Sequence, residues 1–172
     1  IDDELAFNTE KADDGIYKFQ GAGVCINNNT GRVIAVVGGR NQSVDGYTFN
    51  RAYQSYRQPG SAIKPVIIYT PYFERGHKPT DIVKDAPIKD GPKNSGGSYL
   101  GSITVRTAVE RSVNTVAWNL FGELTPKVCM SYMYRMGFAR LSRKDYNHAS
   151  ALGGLTNGVS PVEMASADRK ST

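Results

Sequence analysis

Two prolines stand inside the most apolar helix-like stretch of the chain, S-A-I-K-P-V-I-I-Y-T-P-Y-F-E-R-G, residues 61–76. Each lacks the N–H that an α-helix interior uses, and Pro65 also disfavours the helical conformation for Lys64. Proline is tolerated early in a helix, so Pro65 strains but does not forbid a helix beginning near Ser61, and Pro71 repeats the strain one and a half turns later. Gly60 supplies the bend into it, and Gly76 is placed to stop it. If Ser61 opens the helix, Lys64 lies about 60° around the axis and ~4.5 Å along it, so a hydroxyl and an amine share one face. A serine hydroxyl is a poor nucleophile at neutral pH and needs an adjacent base, and the helix N-terminus favours negative charge developing beside it. An ordinary N-cap serine followed by a solvated lysine has the same sequence, and S-x-x-K alone does not separate the two.

The rest of the chain reads as one domain or a large piece of one. Of 172 residues, 40% are hydrophobic and 22% charged, enough for a core and unlike a disordered chain. No apolar run approaches the ~20 residues needed to span a bilayer. Residues 1–15 are polar and acidic, read as a lead-in or linker and not as a signal peptide, so any targeting or anchoring segment is expected outside this sequence. The net charge of +5 comes from scattered Lys and Arg with no dense basic run, which argues against nucleic acid as a partner. Cys25 and Cys129 lack metal-ligand spacing and are read as two buried free thiols, with a disulfide between them as the lesser alternative.

A strand is expected over residues 16–26, a turn at Asn27 to Gly31, and a second strand through Val33–Val37, together a β-hairpin. The second strand is apolar throughout, which predicts burial on both faces. Residues 38–60 read as a long ordered loop and 77–102 as mostly irregular. Helical periodicity returns over 103–124, with Val105, Ala108, Val109, Val116, Leu120 and Phe121 as core candidates. Pro126 opens a further helix that reaches Met136 and ends at Gly137, and a Gly-rich turn at 152–158 precedes a last short helix from Pro161. Within 103–124, Ser112-Val113-Asn114 falls at or near a break. Residues two apart face one side only where the backbone is extended or turned; there the pair offers a hydroxyl for proton relay and an amide to hold a carbonyl. Ser112 as a plain helix cap is the other reading.

S-x-x-K followed by S-x-N on an α/β background resembles the penicillin-recognising serine enzymes. The segments GRVIAVVGGR, FNRAYQSYRQPGSAIKP, PTDIVKDAPI, SITVRTAVERSVNTVAWNL and ALGGLTNGVSPVEMASA resemble, in order, the transpeptidase domain of class A (bifunctional) penicillin-binding proteins, covering residues 16–167. The resemblance implies an α/β fold of antiparallel sheet and packed helices, with residues 16–172 a transpeptidase domain incomplete at its C-terminus. It implies a D,D-transpeptidase that cross-links peptidoglycan stem peptides and is acylated by β-lactams. Ser61 would be the acylated nucleophile, Lys64 its proton acceptor, Ser112 the relay to the leaving amine and Asn114 a holder of the substrate backbone. No metal or cofactor is implied. The full-length protein would be membrane-anchored, with an upstream glycosyltransferase domain, on the extracytoplasmic face of a bacterial membrane. The family's third motif, K-T-G on a later strand, is absent, and residues 168–172 leave the family pattern. Losing an oxyanion donor from that strand costs on the order of 10²–10³ in rate, so these residues alone are expected to catalyse poorly or not at all. Two further readings share the first two motifs: a β-lactam-sensing or peptidoglycan-binding module without turnover, and a serine β-lactamase.

Overall fold

Antiparallel strand pairs and short helices build the computed structural model, which describes residues 2–41 and 48–171. Positions 42–47, inside the loop expected at 38–60, lie outside the described residues. The chain divides into two compact units, one of residues 58–158 and one of residues up to 57 together with 159–170.

The second of these units contains the expected hairpin. Strand β1 (Gly23–Ile26) pairs antiparallel with β2 (Val33–Val37), Gly23 opposite Val37 and Cys25 opposite Ala35. The Asn27 side chain accepts from Thr30 N, and Gly31 closes the turn at φ +73° by donating to the Asn27 carbonyl. β1 is shorter than expected: Tyr17 makes only an isolated bridge to Lys11, and pairing starts at Gly23. Gly21 and Ala22 give the segment just before it little side chain to pack as a strand. Burial of β2 on both faces is overturned, with Val33, Ile34 and Val37 exposed at 43%, 63% and 43%. An apolar run is dry on both faces only where a layer covers each, and among the described residues β2 pairs with β1 alone. Cys25, on the outward side of β1, is exposed and not the buried thiol expected, whereas Cys129 is buried and its thiol is pushed up to about 12 by desolvation. A four-residue helix, α1 (Arg51–Gln54), sits in the stretch read as loop, capped by the Asn50 side chain.

In the unit of residues 58–158 the two prolines are accommodated by changes of helix type. Gly60–Ile63 is a 3-10 turn, Pro65–Tyr69 a π-helical turn, and α2 (Thr70–Glu74) a short α-helix. Each proline thus falls in the first turn of its own segment, where the helix changes its hydrogen-bonding pattern. Thr70 completes the wide turn, its N–H and hydroxyl both donating to the Pro65 carbonyl.

Strands β3 (Ile82–Asp85) and β4 (Gly101–Thr104) pair antiparallel within the region read as irregular. The helical stretch read over 103–124 is a strand end followed by α3 (Val105–Glu110) and α4 (Asn114–Leu124), separated by a turn. Val109, near the C-terminal end of α3, is 37% exposed and not core, while Val105, Ala108, Val116, Leu120 and Phe121 are buried. α5 (Pro126–Met136) ends at Gly137 in the left-handed conformation (φ +97°), as its proline and glycine predict. The core of this unit joins Ile63, Ile67 and Ile68 to Val116, Phe121, Met130 and Met133. In the other unit, α6 (Pro161–Ser171) is the expected last helix. No helix among the described residues is long and apolar enough to cross a membrane.

Candidate active site

Ser61 and Lys64 occupy one tight turn. In a 3-10 helix residues i and i+3 eclipse, so the geometry stacks the two residues more closely in angle than an α-helix does. Lys64 is itself helical (φ −55°, ψ −44°) and its N–H donates to the Ser61 carbonyl, so Pro65 does not displace it. The two side chains have opposite environments. Ser61 is exposed, and among the described residues its hydroxyl makes no hydrogen bond. Lys64 is 2% exposed and its amine is fully engaged.

Lys64 Nζ donates to the Ser112 carbonyl at 2.7 Å, to Ser112 Oγ at 3.1 Å and to Asn114 Oδ1 at 2.7 Å. The structure thus brings Lys64, Ser112 and Asn114 together across about fifty residues of sequence. Ser112 is a non-glycine residue at φ +50°, held by Ser112 N–H to the Val109 carbonyl and Val113 N–H to the Ala108 carbonyl. That left-handed kink ends α3, starts α4 and turns both the carbonyl and the hydroxyl of Ser112 toward Lys64. No carboxylate lies within ion-pair distance of Lys64 among the described residues. Desolvation accordingly lowers its pKa to about 8.

Sequence reasoning missed the layer behind this cluster. Asn94 Oδ1 accepts from Asn114 N (3.0 Å) and Thr115 N (3.3 Å), capping α4 from a distant loop. Its amide donates to Asp85 Oδ1 (2.7 Å), and Asp85 also accepts from Leu100 N and Thr115 Oγ1. A cavity of about 220 Å³ borders these groups, lined by Asp85, Asn94, Ser98, Arg111 and Ser112; Ser61 is not on its wall.

The Gly-rich turn holds the segment before Ser61. Gly153 has φ +87°, and a Cβ there would meet the backbone N, Cα and O of Gly60 at 2.3–2.5 Å. The buried Asp145 ties the same turn down, accepting from Ser142 N (2.7 Å), Thr156 N (2.8 Å) and Thr156 Oγ1 (2.5 Å). Gly153→Ala adds left-handed strain to a backbone clash. It is expected to lower stability by about 2–4 kcal/mol, read as a drop in denaturation midpoint, with Gly60 pushed away from its position.

Comparison with known proteins follows from this geometry. A model of the penicillin binding protein transpeptidase domain matches residues 21–170. Penicillin-binding protein 4 of Bacillus subtilis (strain 168) is 41% identical over 152 residues, 86% of this chain and 24% of that protein. Among solved structures, penicillin-binding protein 1A of Haemophilus influenzae superposes with a TM-score of 0.74 at 29% identity, over 93% of this chain and 25% of that one. The penicillin-binding protein PonA1 of Mycobacterium tuberculosis gives 0.75 at 26% identity, over 91% and 43%. The chain therefore spans about a quarter or less of the length of the curated relatives it matches.

Proposed function

The chain belongs to the penicillin-binding protein transpeptidase family, with class A relatives, and from that premise we propose that it carries the acylation centre of a serine D,D-transpeptidase of cell-wall synthesis. Residues 16–172 are, on this reading, part of the transpeptidase domain. The observation that carries it is the buried Lys64 amine, one tight turn after Ser61, hydrogen-bonded to both Ser112 and Asn114.

The chemistry runs from those contacts. As an ammonium, Lys64 matches its three protons to three acceptors. As a neutral amine it keeps two N–H donors for the carbonyl oxygens of Ser112 and Asn114, which can only accept. The third position, held by Ser112 Oγ when the amine is charged, then carries the nitrogen lone pair, which can take a proton. With the pKa near 8, about one molecule in ten holds the neutral amine at pH 7, against roughly one in three thousand for an ordinary lysine. Ser61 Oγ attacks the carbonyl of the donor stem's terminal D-Ala-D-Ala bond while its proton passes to Lys64. The C–N bond breaks, and the departing D-alanine amine takes a proton through Ser112. An amine from a neighbouring stem then attacks the ester, gives up its proton along the same route and frees Ser61. A β-lactam is a donor whose leaving amine stays tethered, so the ester persists. Asn114 uses one amide proton on the Lys93 carbonyl (2.9 Å) and one lone pair on Lys64, which leaves one of each for substrate backbone.

The intact protein is proposed to be membrane-anchored outside the cytoplasm, with a glycosyltransferase domain upstream, as for class A members. Incubation with a penicillin followed by peptide mass spectrometry is expected to find one adduct, on the peptide containing Ser61. No adduct, or one on another residue, overturns the assignment. A cross-linking assay with stem peptides then separates a transpeptidase from a sensor, which acylates but passes nothing on.

A further inference from the structure

The loop residue Asn94 stands where the N-cap of α4 should have acted. Val113, the residue preceding that helix, has no side-chain oxygen and caps nothing. Asn94 Oδ1 does the work from twenty residues upstream, taking the N–H groups of Asn114 and Thr115. Its neighbour Lys93 takes Asn114 Nδ2 on its carbonyl. The two consecutive residues thus grip Asn114 at both its backbone and its side chain, and the remaining amide oxygen of Asn114 faces Lys64.

The direction of every bond in this chain is fixed by one buried group. Asp85 is 1% exposed, and an ionised carboxylate can only accept. Burial pushes its pKa up, but donors from Thr115, Leu100 and Asn94 outweigh that and hold it below the usual carboxylate value. It must therefore face the NH2 of Asn94, with Ser98's carbonyl beside it at 3.1 Å. The amide oxygen is then left pointing at helix N–H groups, which can only donate. Reversing the Asn94 amide would set oxygen against carboxylate and NH2 against N–H.

We infer that Asp85 and Asn94 are a positioning pair that fixes where Asn114 and Ser112 hold the Lys64 amine. Both act through the start of α4. The inference rests on Lys64 serving as the base for Ser61. A displacement of about 1 Å at a reacting group costs up to ~10²-fold in rate, so loss of either partner is expected to slow acylation at least tenfold.

Exchange of the two residues supplies the test. In the intact protein, acylation by a fluorescent penicillin is timed for the wild type, Asp85→Asn, Asn94→Asp, and the double exchange. Asn94→Asp alone sets two carboxylates face to face, and Asp85→Asn alone removes the charge that orients Asn94. In the exchanged pair the amide at 85 donates to the carboxylate at 94, keeps an oxygen for Leu100 N, and leaves carboxylate oxygens for the α4 N–H groups. The exposed contact to Ser98 is lost, and the Thr115 hydroxyl, which donated to Asp85 Oδ1, turns to accept from the second amide proton at 85. Both single variants are expected to fall tenfold or more, and the exchange to recover to within about fivefold of wild type. Singles that acylate at the wild-type rate, or an exchange no faster than the singles, overturn the inference. If the singles do not fold, the exchanged pair decides alone: near-normal labelling supports the pairing and none refutes it. Failure of the wild type itself to label on Ser61 strikes instead at the assignment of nucleophile and base.

Discussion

With alanine at position 61, the intact protein is expected to take up no covalent penicillin at all. Removing a general base slows a reaction, but removing the nucleophile leaves no atom to form the ester, so the effect is a complete loss. The substitution is unusually clean. Ser61 is exposed and its hydroxyl makes no hydrogen bond among the described residues, so Ser61→Ala should leave stability within about 0.5 kcal/mol of wild type. Fluorescent-penicillin labelling and a melting curve on the same sample check both halves. Persistent labelling of a normally folded Ser61→Ala protein would place the nucleophile elsewhere.

Lys64→Met is expected to cut the acylation rate constant by about 10²–10⁴-fold while the hydroxyl stays in place. Methionine matches the length and apolar stem of a side chain that is 2% exposed, but it leaves Ser112 O and Asn114 Oδ1 without their donor. Each such orphan costs about 1–3 kcal/mol, partly offset by no longer burying a charge, so rates should be taken well below the melting transition. The pH profile gives a second signature. Desolvation lowers the Lys64 pKa, so the neutral, proton-accepting amine appears at lower pH than in a solvated lysine. Wild-type acylation should therefore rise with pH through about 8 and level off above it, while Lys64→Met stays flat over that range. A wild-type rise centred near 10.4, the value for a solvated lysine, would contradict the role of burial.

Much of the site was readable because its parts are local. Residues three apart lie close in angle in an α-helix and eclipse in a 3-10 helix, so placing Ser61 and Lys64 in one turn did not depend on which of the two formed. The prolines did decide that type: they split the expected single helix into tight, wide and ordinary turns, a division periodicity cannot register. The break at Ser112 was also visible, since Ser-Val-Asn interrupts an otherwise apolar repeat. Its left-handed φ was not, because serine rarely adopts one and nothing in the local sequence demands it.

What stayed hidden was non-local. Strands β3 and β4 are four residues each, and I-V-K-D and G-S-I-T carry too little alternation to stand out among prolines and glycines. Asp85 and Asn94 read as ordinary polar loop residues until β3 and the following loop bring them under α4. β2 failed in the opposite sense: its apolar run was legible, but whether a layer covers each face is a property of the assembly and not of five residues.

The housing of Lys64 has one more outcome. Its acidity is raised by dryness and not by an adjoining cation or anion, so dissolved ions find little field there to damp. Raising the electrolyte from dilute buffer to strong brine should leave the midpoint of the acylation profile where it was, whereas a base tuned by a charged neighbour would drift.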